Sequence, residues 1–125
     1  MSAKPPHPEE STATPEVIDI ARSAEQAEVK LWVPENLIYF QGHFPGFPLL
    51  PGVIQVDWAV RYGKEFFLPA TAFPSTIRIK FRRPIRPNHR LSLNLKFLPL
   101  RSRVHFEYSD AEGPYSSGQI GFASE

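Results

Sequence analysis

Two residues able to exchange protons stand in one short stretch, His43 in a loop crowded with proline and Asp57 inside a run of apolar residues. The stretch reads Gly42-His43-Phe44-Pro45-Gly46-Phe47-Pro48-Leu49-Leu50-Pro51-Gly52-Val53-Ile54-Gln55-Val56-Asp57-Trp58. An imidazole changes protonation near neutral pH, so His43 can act as a base. A lone carboxylate among apolar side chains is costly unless it is paired or protonated, so Asp57 needs a reason to be there. Gly52 falls where a helix should begin, and a helix start offers free N–H groups and a positive dipole end to developing negative charge. Base, acid and anion-stabilising donor would then come from one segment.

Each residue also has a plainer reading. Asp57 and Arg61 are one helical turn apart and suit an ordinary ion pair. His43 alone fits a packed, loop-anchoring histidine. It is the combination with Gly52 that favours chemistry.

The elements that must position these groups follow from periodicity. Val17, Ile18 and Ile20 suggest a first strand, and Val29, Leu31 and Val33 a second that Pro34 should end. The prolines of Phe44 to Pro51 impose an ordered, irregular loop, since each fixes its own φ and restricts the residue before it. Pro51 suits a first helical turn, and Val53 to Phe67 is apolar on nearly every side, as in a helix wrapped by other structure. Beyond Pro69 the period becomes two. Ile77, Ile79 and Phe81 alternate with basic residues, Leu91 to Phe97 with polar ones, and Val104, Phe106 and Tyr108 continue the pattern. These read as half-buried strands, with turns at Pro87-Asn88-His89 and Pro99 to Ser102, and Gln119 to Ala123 closing the sheet. One apolar helix followed by alternating antiparallel strands implies an α+β fold with a sheet curled around the helix.

A chain of 125 residues with 42% apolar content fits one domain. Met1 to Pro15, rich in Pro, Ser, Thr and Glu, reads as a disordered leader, with the domain at 16–125. Glu35 to Gly42 superficially resembles a protease-cleavage tag, but it is internal and runs directly into the histidine loop, so it counts as part of the domain. There is no cysteine, hence no disulfide, thiolate ligand or thiol nucleophile. No stretch has the length and apolarity of a membrane span, and a cytoplasmic protein is expected. His7, His89 and His105 lack metal-ligand spacing, and no glycine-rich phosphate loop occurs, so neither metal nor cofactor is expected.

The net charge of +1 hides an asymmetry. Met1 to Glu35 carries three Lys or Arg against seven Asp or Glu, whereas Arg78 to Arg103 holds nine basic residues and no acidic one. The basic stretch is either a solvated face or a surface for an acidic partner. No nucleic-acid-reading motif accompanies it.

The segment from Gly42 to Trp58 closely resembles the beta-hydroxyacyl-acyl carrier protein dehydratases of the hot-dog fold, in which a Gly-His-Phe-Pro loop leads to Pro-Gly-Val and a helix bearing Asp or Glu. Ile79 to Leu95 resembles the family's strand–turn–strand, so the likeness covers most of the chain beyond Val17. It implies dehydration of 3-hydroxyacyl thioesters to trans-2-enoyl thioesters, with His43 and Asp57 catalytic and the Gly52 N–H on the thioester carbonyl. It further implies an acyl tunnel lined by Phe44, Val53 and Trp58, and an acidic acyl carrier protein docking at Arg82, Arg83, Arg86 and Arg90. The cooperating His and acid come from different subunits in that family, implying a homodimer with shared sites, with higher oligomers or heteromers left open. Asp in place of Glu resembles the branch that also isomerises its product. The Leu50-Pro51-Gly52-Val53 to Asp57-Trp58-Ala59 run instead resembles dehydratases associated with aryl-polyene biosynthesis, which is the favoured branch. Two alternatives stay open: a hot-dog thioesterase, which would not need His43, and a non-catalytic acyl-carrier-binding subunit.

Overall fold

In the computed structural model, residues 12–40 and 48–124 are described. The alternating segments form β1 (Glu16–Arg22), β2 (Gln26–Val33), β3 (Ala72–Phe81), β4 (His89–Leu98), β5 (Arg103–Asp110) and β6 (Gly113–Ser124), with one helix, α1 (Gly52–Phe67), between β2 and β3. The strands make a single antiparallel sheet in the order β1-β2-β4-β5-β6-β3. The chain has the α+β hot-dog architecture.

Period-two patterning explains which face meets the helix. Val29 pairs with Leu93 and Leu31 with Leu91, Leu93 pairs with Tyr108, and Val104 pairs with Ile120. All are almost fully buried, as are Trp58 and Ala59 of α1. Each such aliphatic side chain contributes roughly 1.5–3 kcal/mol when taken fully out of water, so this layer dominates the stability. At Gly63 the helix packs on Val104 of β5, whose nearest methyl would lie 3.4 Å from a Cβ there, about ordinary van der Waals contact.

Three departures from the periodicity have physical causes. Strand β3 starts at Ala72 rather than Ile77 and runs through Pro74. As an edge strand it tolerates proline, because half of its N–H groups have no neighbouring strand to bond. For the same reason β3 is not half-buried: Ile77 is 48% and Phe81 54% exposed. Residues 12–15, read as the end of a leader, rest on the domain. Thr12 forms a parallel bridge to Leu37, the Ile38 N–H donates to the Thr12 carbonyl at 2.9 Å, and Trp58 Nε1 donates to the Ala13 carbonyl at 3.2 Å. The tag-like stretch is integral, with Leu37 wholly buried and Ile38–Phe40 forming a 3-10 turn.

The β3–β4 connection is pinned at several points. The Leu50 N–H donates to the Ile85 carbonyl at 2.8 Å, and the Asn88 N–H to the Val33 carbonyl at 2.7 Å. Arg83 stacks on the Tyr115 ring at 3.8 Å, donates to the Gly113 carbonyl at 2.7 Å and pairs with Asp110. The Tyr115 hydroxyl also donates to Asp110. That bond, followed by those from Arg83 and the Glu112 N–H, holds the Asp110 carboxyl below the usual range. Burial, and then Asp110 as acceptor, push the Tyr115 phenol up to about 12.

A lowered folded pKa means that Asp110 contributes stability above its unfolded value of about 3.9 and loses it as pH falls through the folded value. Asp110→Asn is expected to cost about 1–2 kcal/mol at neutral pH and to flatten the acid limb of the melting curve. Melts of both proteins from neutral pH into the acid range check this. Equal melting temperatures at neutral pH would assign Asp110 no such role.

Candidate active site

The first turn of α1 is the centre of the site. Pro51 occupies its N-cap with φ −58° and ψ 145° and supplies no side-chain cap. Ile54 and Gln55 donate to the Pro51 carbonyl at 3.1 and 3.2 Å. Among the described residues the N–H groups of Gly52 and Val53 have no acceptor, as helix geometry leaves them. Two free donors at the positive end of a sixteen-residue helix make a place for an oxyanion. Any Cβ at residue 52 would collide with the ring of Phe81, which lies against Gly52 from the end of β3.

Gly52, Val53 and Asp57 lie together. Val53 is 73% exposed, and Asp57 follows one turn later on the same exposed stripe, continued by Arg61 and Glu65. Asp57 makes no ion pair among the described residues, with Arg61 or any other group. The carboxylate expected in apolar surroundings is therefore exposed on the single chain. Trp58, expected beside Val53 in a tunnel wall, points instead into the core and is 1% exposed. Its edge reaches a small pocket of about 200 Å³ bounded by Thr14, Pro15, Arg61, Tyr62 and Glu65. His43 and Phe44 lie outside the described residues.

The four arginines differ in exposure. Arg82, Arg86 and Arg90 are exposed around the β3–β4 connection. Arg83 is engaged within the chain by Asp110, Tyr115 and Glu112. The connection itself is tied to Leu50, just before α1, through Ile85 and to Val33 through Asn88.

Periodicity alone did not single out Gln55. Of the two polar residues in the first half of α1, Gln55 is the buried one, 2% exposed. Its Nε2 donates to the Leu50 carbonyl at 3.1 Å, its Oε1 accepts from Ser116 Oγ at 2.6 Å, and its own carbonyl accepts from Tyr108 OH at 2.6 Å. Burial, with smaller contributions from Tyr62 and Asp57, pushes the Tyr108 phenol well above its ordinary range, so it stays a donor. The one available signal was a carboxamide between Ile54 and Val56.

A larger open trough of about 980 Å³ crosses the opposite face of the sheet, with Asn94, Lys96, His105, Glu107 and Gln119 on its floor. None of the described candidate residues lines it. Desolvation, then Arg103, Lys96 and Arg101, lower the pKa of His105. Among the described residues no cluster of three or more His, Asp or Glu has the arrangement of a metal site. Nor is any described helix long and apolar enough to cross a membrane.

Comparison with known proteins gives this fold a family. A family model described as ApeI-like, ApeI dehydratase, matches residues 19–119. The 3-hydroxyacyl-(acyl-carrier-protein) dehydratase FabZ of Clostridium perfringens (strain SM101 / Type A) is 34% identical over 98 residues, covering 70% of each chain. The FabZ of Erythrobacter litoralis (strain HTCC2594) is 34% identical over 82 residues, covering 58% of this chain and 54% of the relative, so the match spans about half that protein's length. A chain of the dehydratase heterocomplex ApeI:P from Xenorhabdus doucetiae superposes with a TM-score of 0.82 at 31% identity, covering 88% of this chain and 98% of the other. With 101 consecutive residues under the family model and a matching architecture, the chain belongs to the ApeI-like dehydratase family of the hot-dog fold.

Proposed function

We propose that the protein dehydrates 3-hydroxyacyl thioesters carried on an acyl carrier protein, yielding trans-2-enoyl thioesters for fatty acid or aryl-polyene biosynthesis. The observation that carries this reading is the uncapped start of α1, where among the described residues the Gly52 and Val53 N–H groups have no acceptor and the Asp57 carboxyl, one turn away on the same face, has no ion-pair partner. The thioester carbonyl accepts from the helix start, so charge developing on its oxygen as C2 is deprotonated is stabilised. His43 takes the C2 proton. The electron pair forms the C2–C3 double bond as the C3–O bond breaks, and protonated Asp57 gives its proton to the departing hydroxyl, which leaves as water. An apolar cover over Asp57 keeps bulk water away from the reacting groups.

That cover comes from a second copy of the chain. Strand β3 is a ten-residue edge whose Ile77 and Phe81 are about half exposed, and Phe81 touches Gly52. Pairing two such edges about a twofold axis buries this apolar row and brings one protomer's helix start close to its partner.

The acidic carrier docks on Arg82, Arg86 and Arg90, with Arg83 holding their loop. Reversing these three charges to Glu is expected to raise KM for the carrier-linked substrate roughly tenfold or more, and to remove much of its salt dependence. The same variant should act normally on a short thioester lacking the carrier. Equal losses on both substrates would place these arginines in the chemistry or the fold instead.

The direct test is spectrophotometric detection of the 2-enoyl product from 3-hydroxyacyl-carrier thioesters, run alongside a free-thiol assay. Enoyl product without thiol release supports the dehydratase. Thiol release without enoyl product would assign the site to thioester hydrolysis.

A further inference from the structure

We propose that Gln55 is a positioning residue of this site, resting on the dehydratase reading: its buried carboxamide replaces the missing N-cap of α1 and so aims the Gly52 and Val53 N–H groups while leaving both free for the thioester. A helix start is normally fixed by a Ser, Thr, Asp or Asn at the N-cap, whose side chain bonds to the N–H of the second or third helical residue. Such a cap here would compete with the substrate for the first-turn donors. Pro51 has no group to cap with. The first turn must therefore be held from elsewhere.

Three bonds do so, all on the core side. Gln55 Nε2 holds the Leu50 carbonyl, one residue before Pro51, which sets the direction from which the chain enters the helix. Ser116 Oγ on β6 holds Gln55 Oε1, and Tyr108 OH on β5 holds the Gln55 carbonyl. Ser116 and Tyr108 are wholly buried, and Gln55 nearly so. In addition the Leu50 N–H is tied to the Ile85 carbonyl, so both polar groups of the Leu50 backbone are fixed. The helix start is thus anchored to β5, β6 and the β3–β4 connection, with no anchor on the substrate side among the described residues. Asp57, two residues beyond Gln55, projects from the opposite side of the same turn and shares its orientation.

Gln55→Leu keeps the volume and removes both side-chain bonds, and Ser116→Ala removes one. An angular or sub-ångström displacement of reacting groups reduces turnover far more than it reduces binding. The expected result is a kcat lowered roughly 10- to 100-fold in Gln55→Leu and less in Ser116→Ala, with KM within about threefold of wild type. A purely structural role would lower the melting temperature and the folded fraction, leaving kcat per folded protein unchanged.

A second readout is independent of catalysis. Amide hydrogen exchange at positions 54 and 55, whose N–H groups bond to the Pro51 carbonyl, should quicken at least tenfold in Gln55→Leu. Exchange at 59–64 should not change. Folded Gln55→Leu with wild-type kcat and wild-type exchange overturns the proposal. Altered exchange in Gln55→Leu together with a wild type that forms no enoyl product would keep the anchoring role and overturn only the dehydratase reading.

Discussion

Asp57→Asn and His43→Ala are each expected to lower kcat for enoyl formation by roughly 10²–10⁴, the range that a positioned general acid or base contributes. The interpretation of such a loss depends on whether the variant still folds. Asp57 is exposed on α1 and has no ion-pair partner among the described residues, so replacing it by an isosteric amide leaves the packing of the chain intact. Its stability should stay within about 0.5 kcal/mol of wild type, as for surface substitutions away from special features. Loss of turnover without loss of melting temperature therefore reports chemistry. Folded Asp57→Asn with near-normal turnover would remove the carboxyl from the mechanism, because an amide cannot donate the proton that the departing hydroxyl requires. If the two residues act on one reaction coordinate as proposed, the double variant should be little worse than the poorer single one.

A charge on the open edge is expected to do as much damage from outside the chemistry. If the protein pairs through β3 as proposed, Ile77→Asp in β3 should convert the dimer to monomers and reduce activity by more than roughly 100-fold, because each site would lose the surface that the pairing places over Asp57. Ile77 is 48% exposed in the single chain, so the substitution removes little intramolecular packing. In a twofold assembly it places two carboxylates where two apolar side chains would be buried, a like-charge arrangement that costs several kcal/mol. Sedimentation equilibrium with activity measured at the same concentrations checks both parts. An Ile77→Asp protein that remains dimeric and active would transfer the interface to the other edge, β1, whose Val17, Ile18 and Ile20 are also exposed. That edge is the weaker candidate, being seven residues long and interrupted by a bulge between Val17 and Asp19. Bulges of this kind turn an edge away from pairing.

Local signals carried much of the architecture. Alternation in β2, β4 and β5 follows from the pleat, which sends successive side chains to opposite faces. The α1 boundary at Gly52 follows from Pro51, and the end of β2 at Val33 from Pro34. The role of the strand edge was less legible, since period two predicts a face towards a core but not whether a neighbouring strand or helix covers it. Ile77, Ile79 and Phe81 match buried strands in pattern, yet their strand is last in the sheet. The same limit applies to Arg83, which reads like its basic neighbours until β5 and β6 bring Asp110 and Tyr115 to it.

Within the candidate site the sequence by itself determined the types and spacing of Gly52 and Asp57 and the helix that carries them. Only the tertiary structure decided which polar residue of that helix is buried. Gln55 and Asp57 differ by two positions, so helical geometry sends them to different sides but does not say which side meets the sheet. That choice belongs to Tyr108 and Ser116, 53 and 61 residues further along the chain, whose hydroxyls meet Gln55 in the core and leave Asp57 facing outward. A buried amide needs partners whereas an exposed carboxylate has water, and partners that distant come together only when the sheet closes over the helix.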